Sequence, residues 1–269
     1  MKSNLLFFLL LLSSCENEKQ DSYREFDSSD KIELVDQNFD IEEWADQKIT
    51  QNDKLNFKTG KIVIGGNDIL IPIPAGFVNA SDTYLGENLF SIFESPTFNE
   101  YLFFIREEDY QDLSSDDFNE RWQADPFICG VRTLKDFEQR DFSKKGLAYM
   151  LKSLQEQSSK ILEIAQDTQK EAIENINHNA KDLGISADYK VLDSKILPPF
   201  DIEDDSFSIL KLLKSQIGGE DVNEIILMNY LNLNQRFLVF YITSTDASDL
   251  EFMKRTMRIW VKMAFEANY

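Results

Sequence analysis

Lys61-Ile62-Val63-Ile64-Gly65-Gly66-Asn67-Asp68-Ile69-Leu70-Ile71 is the stretch from which the fold can be read. Two β-branched runs flank a Gly-Gly-Asn-Asp turn, and those turn residues tolerate the positive φ angles that a tight hairpin demands. Pro72 and Pro74 follow and should end the second strand, because proline removes a ladder donor. The two glycines do not form a phosphate-binding loop. Such a loop needs further glycines, a Lys-Ser/Thr pair and a helix directly after it.

Downstream of the hairpin, residues 79–98 read as loop, and Tyr101-Leu102-Phe103-Phe104-Ile105 reads as a third strand. The acidic stretch 107–120 is expected to be a turn-rich loop, and Phe127 to Leu134 a fourth strand. From Ser143 to Leu183 there is no proline, and Leu147, Leu151, Leu154, Ser158, Ile161, Ala165, Thr168, Ala172, Ile176, Ala180 and Leu183 recur at helical spacing. A continuous helix of that length would be about 60 Å long. Its stripe is bulky at the start and small in the middle, so the first half should pack on the sheet and the second project or fold back. Whether 143–183 is one helix or two is left open, and Gln155 to Ser159 is where a break would fall.

After Gly184 the period returns to two, with strands expected over 189–197, 206–215, 223–231 and 237–245. Short connections make successive strands antiparallel. A final helix is marked by a capping box, Ser248-Asp249-Leu250-Glu251, and by Leu250, Met253, Met257, Trp260, Val261 and Ala264 on one face. The order predicts an α+β fold over 57–269, an antiparallel sheet with a long helix (143–183) and a C-terminal helix packed on it.

Upstream, residues 5–12 are an apolar run too short to cross a bilayer permanently, where about 20 residues are needed. With Lys2 before it and small residues after it, 1–14 has the layout of a removable signal peptide. Leu12-Ser13-Ser14-Cys15 resembles the lipobox of bacterial lipoproteins. The resemblance implies that the Cys15 thiol receives a diacylglyceryl group and becomes the mature N-terminus. The alternative is an ordinary signal peptide with a chance cysteine. Residues 15–56 are rich in Glu, Asp, Asn, Gln and Ser, an acidic flexible tether by composition.

The chain carries 48 acidic against 28 basic residues in 269, a net charge of −20, and removal of Lys2 with the signal takes this to −21. Nucleic acid is thereby an unsuitable partner, since phosphate recognition needs a clustered positive surface. Attachment to membrane is expected through N-terminal acyl chains alone. Of the two cysteines, lipidation of Cys15 leaves Cys129 unpaired, within the apolar run Phe127-Ile128-Cys129-Gly130-Val131. A buried thiol there behaves as a small hydrophobe.

No catalytic residue, metal ligand set or cofactor motif stands out. The acids of 107–120 and of Asp201-Ile202-Glu203-Asp204-Asp205 lack the Asp-x-Asp-x-Asp-Gly spacing of a calcium loop. The single histidine, His178, has no second ligand or nucleophile at a recognised spacing, so a helix-surface position is expected. Carboxylate-pair chemistry survives because acids are abundant.

The element order, the run Ile71-Pro72-Ile73-Pro74-Ala75-Gly76-Phe77 and the Trp260-bearing last helix together resemble the PsbP-like fold, which includes DcrB-like periplasmic lipoproteins. That resemblance implies a protein that binds or assists other proteins. The long helix departs from the family's compact pattern. Two functions are therefore expected in competition: a membrane-tethered, non-catalytic binding or accessory lipoprotein of the cell envelope, or a carboxylate-dependent hydrolase of envelope glycans.

Overall fold

In the computed structural model of the protein, the hairpin turn forms with Gly65 at φ 53° and Gly66 at φ 79°, the left-handed pair that a two-residue turn requires. It joins β1 (Thr59–Ile64) to β2 (Asn67–Pro72), and Ile64 pairs with Asn67. Ile62, Ile64, Ile69 and Ile71 are buried while Lys61, Val63 and Leu70 face outward. The structure describes residues 59–83, 86–87, 90–91, 95, 97–113, 127–182, 188–217 and 219–269, and gives backbone alone for 111–113, 157–172 and 217. The signal sequence, Cys15 and the tether expected over 15–56 lie outside the described residues.

The hairpin is a two-stranded sheet of its own. The main sheet has seven strands in the order β3-β4-β5-β9-β8-β7-β6, and every neighbouring pair is antiparallel. Its strands are β3 (Phe77–Asn79), β4 (Phe98–Arg106), β5 (Ile128–Leu134), β6 (Lys190–Ile196), β7 (Ser206–Ile217), β8 (Glu220–Leu233) and β9 (Arg236–Ser244). The edge strand β3 is absent from the sequence reading, because three residues are too few to display a period of two.

A further correction concerns a helix. Part of the acidic stretch expected as loop is helical, α1 (Glu107–Leu113), whose first turn holds Glu107, Glu108 and Asp109. Carboxylates there complement the exposed N–H groups of a helix start. A short α2 (Lys135–Glu138) follows β5, and then α3 (Lys144–Asp182) runs 39 residues as one helix, through Gln155 to Ser159, where the sequence leaves open whether it breaks. Its first half packs as predicted, with Leu147, Met150 and Leu154 buried. Its far end is tied back: the Asn177 amide donates to Tyr189 O at 2.9 Å and accepts from Tyr189 N at 2.6 Å, and Asn179 donates to Ser91 O at 2.9 Å.

The C-terminal helix α4 (Leu250–Asn268) packs on the opposite face of the sheet. Its capping box does not form. Asp246 instead accepts from Ser248 N at 2.8 Å and opens a 3-10 turn over Ala247–Asp249, while Glu251 pairs with Lys254 at 2.8 Å. An aspartate two residues upstream of Ser248 takes the capping role first.

Helix α4 also anchors the hairpin. Trp260 is buried, stacks on Phe240 with 4.3 Å between ring centroids, and donates from Nε1 to Pro72 O at 2.8 Å. Asn268 accepts from Leu70 N at 3.0 Å and donates to Leu70 O at 2.7 Å, the bonds a neighbouring strand would make. From the turn of β9, Arg236 donates to Gly65 O at 3.1 Å and to Asp141 at 2.9 Å. The sheet is therefore covered on both faces, by α3 on one and by α4 with the hairpin on the other. Among the described residues no helix is long and apolar enough to cross a membrane.

Candidate functional site

The site begins with a bulge in β4. Glu100 pairs with Arg132 and Leu102 with Val131, so Tyr101 is an extra residue in the ladder. An extra residue resets the two-residue alternation. Phe98 and Glu100 before the bulge, and Phe103 and Ile105 after it, thus all turn toward the α3 face, whereas Leu102 and Phe104 turn toward α4.

Glu100 lies on β4 and Tyr241 on β9, with β5 between them, yet the Tyr241 hydroxyl donates to Glu100 Oε2 at 3.2 Å. Gly130 makes this possible. A Cβ at that position would stand 2.3 Å from Tyr241 Cζ and Oη, so the missing side chain leaves the lane through which the phenol crosses β5.

Arg132 completes the cluster. Its Nη1 is 3.6 Å from Glu100 Oε1, and its guanidinium carbon lies 4.2 Å from the Phe98 ring centroid and 4.9 Å from that of Tyr241. Nη2 reaches the Met228 sulfur at 3.7 Å, and Nε is buried with no hydrogen-bond partner. Tyr230 also donates to the Met228 sulfur, at 3.6 Å.

The electrostatics follow from burial. Loss of water around Glu100 raises its pKa to about 7, and the attraction of Arg132 and the Tyr241 hydrogen bond only partly oppose that rise. Burial likewise pushes the Tyr241 phenol well up, with the Glu100 charge adding to it. The cluster can therefore take up or give a proton near neutrality. Its described partners are a cation and a phenol, whereas glycoside hydrolysis sets a second carboxyl about 5 to 10 Å from the first.

The residues singled out from sequence fall elsewhere. Cys15 lies outside the described residues. Cys129 is a buried free thiol whose pKa burial pushes well up, the setting of an inert cysteine. His178 is exposed on α3, with Asp182 one turn on at 3.5 Å. Four of the acids meet a cation: Glu108 and Asp109 with Arg106 at 3.6 and 2.9 Å, Asp201 with Arg258 at 2.8 Å, and Asp205 with Lys144. Asp116, Asp117 and Glu120 lie outside the described residues. Among the described residues no group of three or more His, Cys, Asp or Glu side chains could hold a metal ion.

Glu100, Arg132 and Tyr241 were not singled out from sequence. A signal did exist in Arg132, a lone charge inside the apolar strand Ile128 to Leu134, and in Gly130 two residues before it. What sequence could not supply is the crossing of β5 by Tyr241, since β5 and β9 are neighbours only in the folded sheet.

No protein-family model matches this chain, and no curated protein sequence matches it. Among solved structures the chain is similar to the Ran-binding protein Mog1p of Saccharomyces cerevisiae, at 12% sequence identity and a TM-score of 0.26, over 79% of this chain and 93% of that one.

Proposed function

We propose that this chain is a lipid-anchored, non-catalytic binding or accessory protein of the bacterial cell envelope. The observation that carries the reading is Leu12-Ser13-Ser14-Cys15 at the end of a short apolar run, with a long acidic, polar segment directly behind it. Two or more acyl chains on one cysteine hold a protein to membrane where a single chain does so only reversibly. The PsbP-like order of elements supports a protein partner, and the net charge of −20 supports one other than nucleic acid. The burial of Glu100 beside Arg132 supports a structural or regulatory carboxylate over a hydrolytic one, because a substrate must reach its general acid.

Metabolic labelling with a fatty acid tests the anchor. Wild-type chain takes the label and sediments with membranes, Cys15→Ser takes none, and a chain starting at Glu16 is soluble and folded. A wild-type chain without label, or a Glu16 chain that still sediments with membranes, overturns the reading. Crosslinking in cells then addresses the partner. Recovery of the same protein in repeated trials is expected, and its absence would return weight to the hydrolase of envelope glycans.

A further inference from the structure

The charge pair beneath α3 differs from the Arg–Asp pairs of the described residues in being both longer and more buried. Arg236 meets Asp141 at 2.9 Å, Arg258 meets Asp201 at 2.8 Å and Arg106 meets Asp109 at 2.9 Å, the separations of well-made charge-assisted bonds. Glu100 has a side chain only 7% exposed, yet its cation stands at 3.6 Å and its phenol donor at 3.2 Å. The most deeply buried of these carboxylates is thus the most loosely bonded. Arg132 is short of acceptors in turn, with Nε unpartnered and Nη2 turned to a thioether. Its guanidinium carbon instead lies over the rings of Phe98 and Tyr241, at 4.2 and 4.9 Å from their centroids.

From this geometry we propose that Glu100 and Arg132 form a proton-operated latch, in which the ionised carboxylate holds the guanidinium against the sheet and proton uptake releases it toward solvent. The proton comes from water and binds a carboxyl oxygen, so Glu100 becomes neutral and Arg132 keeps its charge. An unpaired buried cation is costly, and the Arg132 side chain, already 22% exposed, has a short way to go to water.

The surrounding groups leave Glu100 as the one that changes charge near neutrality. Tyr241 on β9 and Tyr230 on β8 have pKa values that burial raises, and Cys129 on β5 has one raised well up. The buried α3 residues of this core cluster, Leu147, Met150 and Leu154, carry no titratable group. With Glu100 at about 7 folded and its ordinary value 4.5, only the folded chain holds the proton between those limits. The stability Glu100 contributes is therefore full below about 4.5 and is lost as pH rises through about 7.

Nuclear magnetic resonance of the full chain in detergent, labelled at glutamate ¹³Cδ and arginine ¹⁵Nε, tests the latch. The Glu100 and Arg132 signals should move together with one midpoint near 7, and the protection of the Arg132 Nε proton, its exchange rate relative to the intrinsic base-catalysed rate at each pH, should fall roughly tenfold on the acid side of it. In Glu100→Gln the Arg132 signal should stay at its acid-side position throughout. An Arg132 signal that ignores pH in the wild type, a Glu100 midpoint below 5, or an Arg132 signal that still titrates in Glu100→Gln would overturn the proposal. Should Glu100→Gln fail to fold, the wild-type titration decides alone.

Discussion

Beneath α4 the seven-stranded sheet buries Leu227, Leu238, Phe240, Ile242 and the indole of Trp260, and beneath α3 it buries a carboxylate, a guanidinium and two phenols. Both faces exclude water mainly with apolar side chains, and the α3 face adds the charged cluster to them. On the α4 face, aliphatic and aromatic side chains each contribute about 1.5 to 3 kcal/mol by leaving water, and the indole N–H is satisfied by Pro72 O. On the α3 face, part of that gain is offset by desolvating charges that meet at 3.6 Å. The first face makes the fold stable. The second holds a carboxyl group at some cost, since burial pushes Glu100 up to about 7.

The largest test of this contrast is Trp260→Ala. It empties the centre of the α4 face and removes the bond to the hairpin, so unfolding free energy should fall by about 3 to 5 kcal/mol in chemical denaturation. A loss below about 1 kcal/mol would mean that the hairpin and α4 hold by other contacts. Amide exchange over residues 61–71 should quicken in the same variant, since the hairpin loses the Trp260 bond and the packing around it.

A middle-sized effect is expected from Gly130→Ala on the other face. One added methyl at 2.3 Å from the Tyr241 ring must expel the phenol from its lane across β5, at about 1 to 3 kcal/mol. The same substitution at Gly66, which meets nothing within 4 Å, would cost only the strain of its φ of 79°. If Gly130→Ala unfolds at the wild-type denaturant midpoint, Tyr241 does not occupy the lane and the cluster is not built as described.

The smallest effect concerns the far end of α3, where the covering helix leaves its bulky stripe. Asn177→Ala removes the paired bonds to Tyr189 and should speed exchange of the amides over 173–182 about tenfold, while the global midpoint moves little. In the wild type these amides should already exchange faster than those of β9. Equal protection in both places would show that this half of the helix is held as firmly as the sheet.

Much of the architecture was legible because it rests on local rules. The hairpin turn is written in Gly65 and Gly66, the strands β7, β8 and β9 in their runs of β-branched, aromatic and other apolar residues, and α4 in the spacing of Met253, Met257 and Trp260. Failures came where a signal was too short or was outcompeted. Strand β3 has three residues, and Asp246 displaced Ser248 as the cap. The sequence leaves open whether 143–183 breaks, and α3 runs through Gln155 to Ser159 as a helix that propagates one bond per residue once nucleated.

By itself the sequence determined the fold class, the antiparallel meander after Gly184 and the apolar surroundings of Cys129, all of which follow from the period and type of neighbouring residues. The cluster of Glu100, Arg132 and Tyr241 was decided only by the tertiary structure. A one-residue bulge turned Glu100 inward, pairing of β5 with both β4 and β9 set three distant positions side by side, and the absent side chain of Gly130 let a ring cross between them. The chemistry of a carboxyl group depends on the water and charges around it, and those were supplied by residues 32 and 141 positions away in the chain.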